Sequence, residues 1–297
     1  MTEIRTIEEY LDLVRHELAG SDPSLVQDVL FDIDELLRSE QAEAIGELDE
    51  EALVAKAMAA FGSPREVAQA YLETEEKLDH ALRSAPPTLG TTFFERIFGI
   101  LADPQAYGSL LFMLLSLATG LIYFVWSATG LAMTVGFSIL IFGIPFFLLF
   151  VASLRVLALT EGRMVEALLG IRMPRRPAPS NVEGSLWTRI RFWLTDRRTW
   201  TTLAYLLLKL PLGIVSFTFA IALLSISMAL IALPFAQLLT NLPLISFGSD
   251  VGVWLPWWSF PLTWLAALVD LLILLHGARI FGHLQGAMAK AMLVESA

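Results

Sequence analysis

Two ionisable side chains within long apolar stretches are the first candidates for chemistry. Asp270 stands inside an otherwise uncharged stretch, where a charged carboxylate costs roughly 3 kcal/mol unless it is protonated, paired or facing a polar cavity. Lys209 enters another apolar stretch, and we predict that its ammonium group pairs with Asp270. Such a pair either fixes the register of two helices or takes part in sensing or gating.

A tryptophan-rich segment at residues 242–258 is the second candidate. It is mostly apolar and contains one charged residue, Asp250. Trp254, Trp257 and Trp258 lie at its end, and with Asp250 they could form a ligand-binding or sensing site for a lipid or a membrane-active compound. The alternative is the belt of tryptophans that membrane proteins place at the bilayer surface.

Signatures of enzymatic catalysis are missing from the sequence. It has no glycine-rich phosphate loop, no His-Glu-x-x-His zinc motif and no Gly-x-Ser-x-Gly nucleophile motif. His276 and His283 could share a helical face, but two histidines without a third ligand do not define a metal site. The chain also contains no cysteine. We therefore predict a protein that is not an enzyme and that has no cofactor and no metal site.

The chain divides into an acidic part and an apolar part. Of its 297 residues, 56% are hydrophobic and 17% are charged, whereas a soluble domain has about half and about a quarter. Residues 1–84 contain 21 acidic and 7 basic side chains, and the remainder contains 9 and 13. We predict an acidic domain at 1–84, a linker at 85–92 and a membrane domain at 93–297.

Apolar residues in the acidic part recur at helical spacing, as in the stripe Ile7, Tyr10 and Val14. Between these stripes stand residues that cap helices, such as Thr6 and the sequence Ser21-Asp22-Pro23. Four amphipathic helices are predicted, near 7–19, 23–41, 49–61 and 64–82.

The turn between the last two of these helices has the sequence Ala60-Phe61-Gly62-Ser63-Pro64-Arg65-Glu66-Val67-Ala68. With Tyr10-Leu11 and the acidic helix from Val29 to Leu37, it resembles the HAAS family, the helix-turn-helix-associated α-helical signalling domain of bacteria. Members are cytosolic modules thought to engage PadR-like transcription regulators, and the resemblance implies the same kind of partner here. The alternative is a solvated helical bundle with no dedicated partner.

The charge of the acidic domain determines which partners it can bind. Direct binding to nucleic acid is disfavoured, because phosphate contacts need clustered lysine and arginine. A basic protein suits this domain better. The candidate partner-binding residues are Phe31, Asp32, Glu35 and Tyr71. Phe31 and Tyr71 are either interface anchors or core residues.

Four apolar segments are long enough to span a bilayer, which takes about 20 helical residues. They lie at about 109–126, 131–151, 210–235 and 256–275, with a turn at 127–130 between the first two. Of the 20 lysines and arginines, eight precede the first span, ten lie between Arg155 and Lys209, and two follow the fourth. This distribution places both termini in the cytoplasm. We expect a multi-pass protein of the bacterial inner membrane, without a cleavable signal peptide.

The membrane part contains an internal repeat. At an offset of 93 residues the matching pairs include Asp103 and Asp196, Tyr107 and Trp200, Phe112 and Tyr205, and Gly120 and Gly213. At an offset of 124 they include Arg155 and Arg279, Met164 and Met288, and Ala167 and Ala291. The repeat predicts an all-α protein: a cytosolic helical bundle followed by four membrane helices, built from two repeated hairpins with amphipathic helices that contact membrane lipids.

Within this repeat, the segments Gly143-Ile144-Pro145-Phe146, Thr160-Glu161-Gly162-Arg163 and Ala229–Pro234 resemble the four-span sensor domain that precedes bacterial histidine kinases. The resemblance covers about residues 92–295 and implies a sensory module. No kinase follows it, so we expect the output to pass through the acidic domain. The predicted function is a membrane-bound sensor that relays a membrane or envelope signal to a PadR-like regulator. The alternatives are a small transporter or a structural scaffold, and a homo-oligomer is compatible with each.

Overall fold

In the computed structural model, the described residues are residue 4 and the ranges 6–43, 50–82, 97–137, 143–176, 191, 194–240, 245–247 and 251–294. The described part of the acidic region forms the four predicted helices: α1 (Ile7–Glu17), α2 (Pro23–Glu43), α3 (Glu50–Phe61) and α4 (Pro64–Leu82). We call these four helices the N-terminal bundle. Helix α1 packs against the other three.

The apolar stripes of these helices meet in one core. Its most buried members are Tyr10, Val14, Leu18, Val29, Leu37, Val54 and Ala68. Within this core the Tyr10 hydroxyl donates a hydrogen bond of 3.2 Å to the carbonyl of Gly62, which attaches α1 to the turn between α3 and α4.

The HAAS-like motif forms this turn. Gly62 has φ +101°, a backbone conformation that glycine adopts without steric cost. The Glu66 carboxylate accepts hydrogen bonds from the Ser63 N–H (2.8 Å) and hydroxyl (2.9 Å). The Glu66 N–H donates back to the Ser63 hydroxyl oxygen at 3.4 Å, which completes a capping box, and Pro64 opens α4. The two bonds that the Glu66 carboxylate accepts hold its pKa below its ordinary value. The motif residues therefore have a structural role in joining two helices.

Four long apolar helices follow: α5 (Pro104–Phe137), α6 (Gly143–Leu169), α7 (Arg197–Thr240) and α8 (Phe260–Leu293). Each is long and apolar enough to cross a membrane, so the chain is a multi-pass membrane protein with an all-α fold. We call them the membrane bundle. Between α7 and α8, strands β1 (Ile245–Phe247) and β2 (Val251–Val253) pair antiparallel, with Ser246 opposite Gly252.

The turn predicted at 127–130 is wrong. These residues are helical, because α5 continues to Phe137 and the next helix begins only at Gly143. Small residues here provide packing space: Ser127 is buried, and a Cβ atom at Gly130 would lie 2.1 Å from the Phe150 ring. Within lipid, a continuous helix also satisfies the backbone hydrogen bonds that a turn would leave open.

The repeat is visible where α5 and α7 begin. Asp103 and Asp196 each cap the following helix, because their carboxylates accept the N–H of the residue two positions on, at 3.0 Å in both cases. The Tyr107 hydroxyl donates to Leu101 O and the Trp200 indole N–H donates to Leu194 O, each at 2.8 Å. Repeat-equivalent residues thus make equivalent bonds.

Ion pairs connect the two copies crosswise. Arg279 of the second copy pairs with Asp103 of the first at 2.5 Å, and Arg155 of the first pairs with Asp196 of the second at 3.9 Å. The membrane bundle is therefore pseudo-symmetric. All four residues lie at one end, which we call the basic end.

Helices α5 and α7 cross at the two repeat-equivalent glycines. A Cβ atom at Gly213 would lie 2.3 Å from the Ser116 carbonyl oxygen, and one at Gly120 would lie 2.7 Å from the Lys209 carbonyl oxygen. Both contacts are with backbone, which cannot move aside as a side chain can. The glycines thus permit the close approach of the two central helices.

Replacing Gly213 with alanine is therefore expected to lower the free energy of unfolding by about 1–3 kcal/mol. Denaturant titration of the purified protein in detergent micelles measures this loss. Gly136 is the matched control, since nothing lies within 4 Å of a Cβ built there and alanine favours a helix. Equal stability of the two variants would contradict the close crossing.

Candidate functional site

A buried ionic cluster lies inside the membrane bundle. The Lys209 ammonium of α7 is 2.5 Å from Glu161 Oε1 of α6, and the Tyr205 hydroxyl donates to the same oxygen at 2.9 Å. The side chains of Lys209 and Glu161 are 1% and 0% exposed. The ammonium also lies 4.1 Å from the centre of the Phe112 ring, within cation–π range.

The predicted pair of Lys209 with Asp270 is wrong. Asp270 instead accepts a hydrogen bond of 2.6 Å from the hydroxyl of Ser227. Ser227 follows Lys209 by 18 positions on α7, which corresponds to about 27 Å along the helix. The two charged groups therefore lie at different depths.

Glu161 was not among the predicted site residues, because the second predicted span ends at about residue 151. Helix α6 continues to Leu169, so Glu161 belongs to its interior. The spacing of residues could have indicated that Glu161 is buried. It follows Leu154 by seven positions and precedes Val165 by four, which places all three on one helical face. All three are buried.

The repeat gives this cluster a neutral counterpart. The offset of 124 places Gln285 at the position of Glu161, and the offset of 93 places Ser116 at the position of Lys209. Gln285 is buried and its amide donates to the Ser216 hydroxyl. Because neutral groups fill the repeat-equivalent positions, this architecture does not by itself require a buried ion pair.

The Glu161 carboxylate has one oxygen left over. Among the described residues, its Oε2 atom has no hydrogen-bond partner, although it is buried. A buried acceptor without a partner costs about 1–3 kcal/mol. The cluster can therefore respond to a proton or to a rearrangement that supplies a donor. This makes it a candidate switch element.

A second candidate site is the interface between the N-terminal bundle and residues 172–176, which we call the basic segment. Asp28 of α2 is its centre: Oδ1 accepts the backbone N–H of Arg175 at 2.8 Å and of Arg176 at 2.9 Å, and Oδ2 accepts from the Arg172 guanidinium at 3.3 Å. Burial raises the pKa of Asp28, and the hydrogen bonds and arginine charges oppose that rise.

Further contacts surround Asp28. Gln27 donates from its amide to the Arg176 carbonyl oxygen at 2.7 Å, and the Ser24 hydroxyl donates to the Arg172 carbonyl oxygen at 3.3 Å. The Arg172 guanidinium also pairs with Glu75 of α4. The N-terminal bundle thus binds both the side chains and the backbone of the basic segment. We call this contact the docking interface.

The predicted partner-binding residues fall into two groups. Asp32 pairs with Arg176 at 3.1 Å, and the Arg176 guanidinium lies 5.7 Å from the centre of the Phe31 ring. Both residues therefore belong to the docking interface. Tyr71 is half-buried and packs against the core of the N-terminal bundle, whereas Glu35 is exposed on α2.

Helix α6 connects the two candidate sites. It ends at Leu169, and Gly170, with φ of +68°, turns the chain back. Met173 of the basic segment is buried, and its Cβ lies 3.5 Å from the position that a Cβ atom at Gly162, the residue next to Glu161, would take. The buried ionic cluster and the basic segment are therefore close neighbours across α6.

Lys290 of α8 adds an ion pair with Asp22 at 2.6 Å. Burial raises the pKa of Asp22, but hydrogen bonds from Lys290 and from the Ser24 N–H, together with the Lys290 charge, bring it below its ordinary value of 3.8. A carboxylate whose pKa is lower in the folded state stabilises that state above the unfolded pKa. This contribution is lost as the pH falls through the folded pKa.

We therefore expect Asp22→Asn to lower the unfolding temperature near neutral pH and to have progressively less effect as the pH falls below about 3.8. Thermal unfolding of both proteins between about pH 7 and about pH 2.5 tests this. A difference that stays constant over this range would contradict the ionised role of Asp22.

The tryptophan-rich segment lies at the opposite end of the membrane bundle. Trp254, Trp257 and Trp258 are exposed, Trp257 to 81%, and Asp250 lies outside the described residues. Gln237 holds the segment through two bonds to the Leu255 backbone, of 2.8 and 3.0 Å. Exposed indoles suit a membrane belt as well as a ligand site, so both interpretations of the segment stay open.

Comparison with known protein families gives one match: a family described as "Putative sensor" matches residues 112–293. The match covers most of the membrane bundle, including the buried ionic cluster and the basic segment. No curated protein and no solved structure matches the chain.

Proposed function

The chain belongs to the family described as "Putative sensor", and from this membership we propose that it is a non-enzymatic sensor of the bacterial cell membrane whose signal passes through the N-terminal bundle. Four helices able to span a membrane support the sensor role. The output is proposed to be a PadR-like transcription regulator, the partner implied by the HAAS-like motif of the N-terminal bundle.

The docking interface is the observation that carries this proposal. It attaches the N-terminal bundle to the segment that follows α6, the helix that contains Glu161 of the buried ionic cluster. A stimulus that repacks the membrane bundle can thereby change how firmly the N-terminal bundle is held. We propose two populations, docked and released, whose balance depends on the stimulus.

The direction of the signal follows from the proposed orientation. Lysine and arginine concentrate at the basic end, so the positive-inside rule assigns this end and the N-terminal bundle to the cytoplasm. The tryptophan-rich segment would then lie at the outer surface. A stimulus at that surface or within the bilayer would act on a cytoplasmic regulator through the docking interface.

Co-purification from the source organism tests the proposed output. Full-length protein in detergent is compared with the Arg172→Ala/Arg176→Ala variant, which weakens the docking interface and leaves the acidic residues of α2 intact. We expect a PadR-like regulator to co-purify, and in larger amount with the variant. Absence of any transcription regulator from both samples would contradict the proposed output, and substrate flux by the purified protein in liposomes would favour a transporter instead.

A further inference from the structure

We propose that the N-terminal bundle has a binding cleft for an arginine-containing peptide without regular secondary structure, and that the basic segment fills this cleft as an internal ligand. The cleft is formed by Ser24, Gln27, Asp28 and Asp32 of α2 and by Glu75 of α4. The inference deepens the proposed function, because it states what a protein partner must present to bind here.

The cleft recognises the backbone of the peptide. The cleft binds four backbone groups of the basic segment: the N–H of Arg175, the N–H of Arg176, and the carbonyl oxygens of Arg172 and Arg176. Backbone groups are common to all sequences, so these bonds are open to a segment of another protein that adopts the same backbone conformation. A ligand needs a residue other than proline at the two positions that donate their N–H groups.

The cleft also recognises two arginine side chains at a fixed spacing. Arg172 reaches Asp28 and Glu75, and Arg176, four positions later, reaches Asp32 and the Phe31 ring. Charge-assisted bonds of this kind are the stronger class of hydrogen bonds. The cleft therefore selects a segment with arginines at positions i and i+4 and a bend before the second arginine.

The backbone conformation of the basic segment indicates the shape of ligand that the cleft accepts. Pro174 lies between the two arginines, and the residue before a proline favours extended backbone. The basic segment has no regular secondary structure, and its backbone bends at Arg175 and Arg176, so that both N–H groups reach Asp28 Oδ1. The partner class is a protein with an exposed Arg-x-x-x-Arg segment that can adopt this bend.

An internal ligand determines how such a partner binds. Because the basic segment belongs to the same chain, its effective concentration at the cleft is high. A partner binds only the fraction of molecules in which the cleft is vacated, and its apparent affinity falls by that fraction. Release of the basic segment is thus the step that permits partner binding.

A peptide-binding experiment on the full-length protein in detergent tests the cleft. The probe is a fluorescein-labelled peptide with the sequence of residues 171–177, followed by anisotropy. We expect the Arg172→Ala/Arg176→Ala variant to bind it at least about tenfold more tightly than the unaltered protein, because the internal competitor is weakened. Addition of Asp28→Asn to that variant is expected to abolish the gain.

Two controls separate this site from general charge attraction. We call the Arg172→Ala/Arg176→Ala variant the opened variant. A scrambled peptide of the same composition must bind it much more weakly. Asp12→Asn in the opened variant must leave peptide affinity unchanged, because Asp12 lies on α1 and pairs with Arg15. Equal peptide affinity of the opened and unaltered proteins, or equal binding of the scrambled peptide, would overturn the cleft.

The peptide result is distinguishable from the test of the proposed function. Specific peptide binding without a co-purifying regulator would support the cleft and contradict the PadR-like partner. A co-purifying regulator without peptide binding would support the partner and overturn the cleft.

Discussion

Replacing Lys209 with methionine is expected to lower the free energy of unfolding by about 3–5 kcal/mol, the largest single effect on stability that we predict. The substitution leaves the Glu161 carboxylate in a fully buried position without its cation. The hydrogen bond from Tyr205 remains, but one neutral donor does not replace the attraction of the ammonium group. Denaturant titration in detergent micelles, followed by tryptophan fluorescence, measures the loss.

The matched control is the double variant Glu161→Gln/Lys209→Met. It removes both charges, and it imitates the second copy of the repeat, where Gln285 occupies the equivalent position. We expect the double variant to recover most of the stability lost in the single one, since neutral replacement of a whole buried pair is often well tolerated. A single variant as stable as the unaltered protein would show that the pair is not formed.

The second large effect is expected from Asp28→Asn. Asn keeps the size of the side chain and an oxygen that accepts, but it removes the charge that strengthens the two backbone hydrogen bonds, and it places an NH₂ donor against the Arg172 guanidinium. A hydrogen bond to a charged group contributes about 1.5–3 kcal/mol, so the docking interface should largely open. The N-terminal bundle itself should stay folded, because its core lies elsewhere.

Limited trypsin digestion, read by mass spectrometry, measures the opening. The bond after Arg172 is held in the docking interface of the unaltered protein, and we expect it to be cut considerably faster in the Asp28→Asn variant. Asp12→Asn is the control, since it removes an exposed carboxylate of α1 with no contact to the basic segment. Equal cleavage of all three proteins would contradict a docked N-terminal bundle.

The sequence predicts the helices and the repeat well, because both leave local patterns. Apolar spacing and capping residues located the helices of the N-terminal bundle, and the offset of 93 residues paired Gly120 with Gly213, which meet at the crossing of α5 and α7. The error at 127–130 arose because Ser127 and Gly130 suit a turn and also suit close helix packing. Their sequence alone does not distinguish these two uses.

The two candidate sites depend on contacts between distant parts of the chain. Asp28 and Arg172 are 144 positions apart, and nothing in either local sequence indicates the other. For Lys209, the choice between Asp270 and Glu161 depends on the depth of each group along its helix, and helix ends are the least reliable part of a sequence-based prediction. The sequence predicted Phe31 and Asp32 as residues that bind a partner protein. In the structure they contact Arg176 of the same chain.

Helix α6 connects the buried ionic cluster to the docking interface. Its interior carries Glu161, its next residue contacts Met173, and the basic segment that follows binds Asp28. A change in the buried ionic cluster and a change in docking are thus linked through one helix and one short segment. We propose that these two events are coupled.

Distance measurement by double electron–electron resonance in lipid nanodiscs tests that claim most directly. The chain contains no cysteine, so spin labels attach only at cysteines introduced at Glu73 of α4 and Ala287 of α8, both exposed. We predict one narrow distance distribution in the unaltered background and a longer, broader one with Glu161→Gln, as with Asp28→Asn, while Asp270→Asn leaves the distribution unchanged. A Glu161→Gln distribution identical to that of the unaltered background, in an experiment where Asp28→Asn does broaden it, would contradict the coupling.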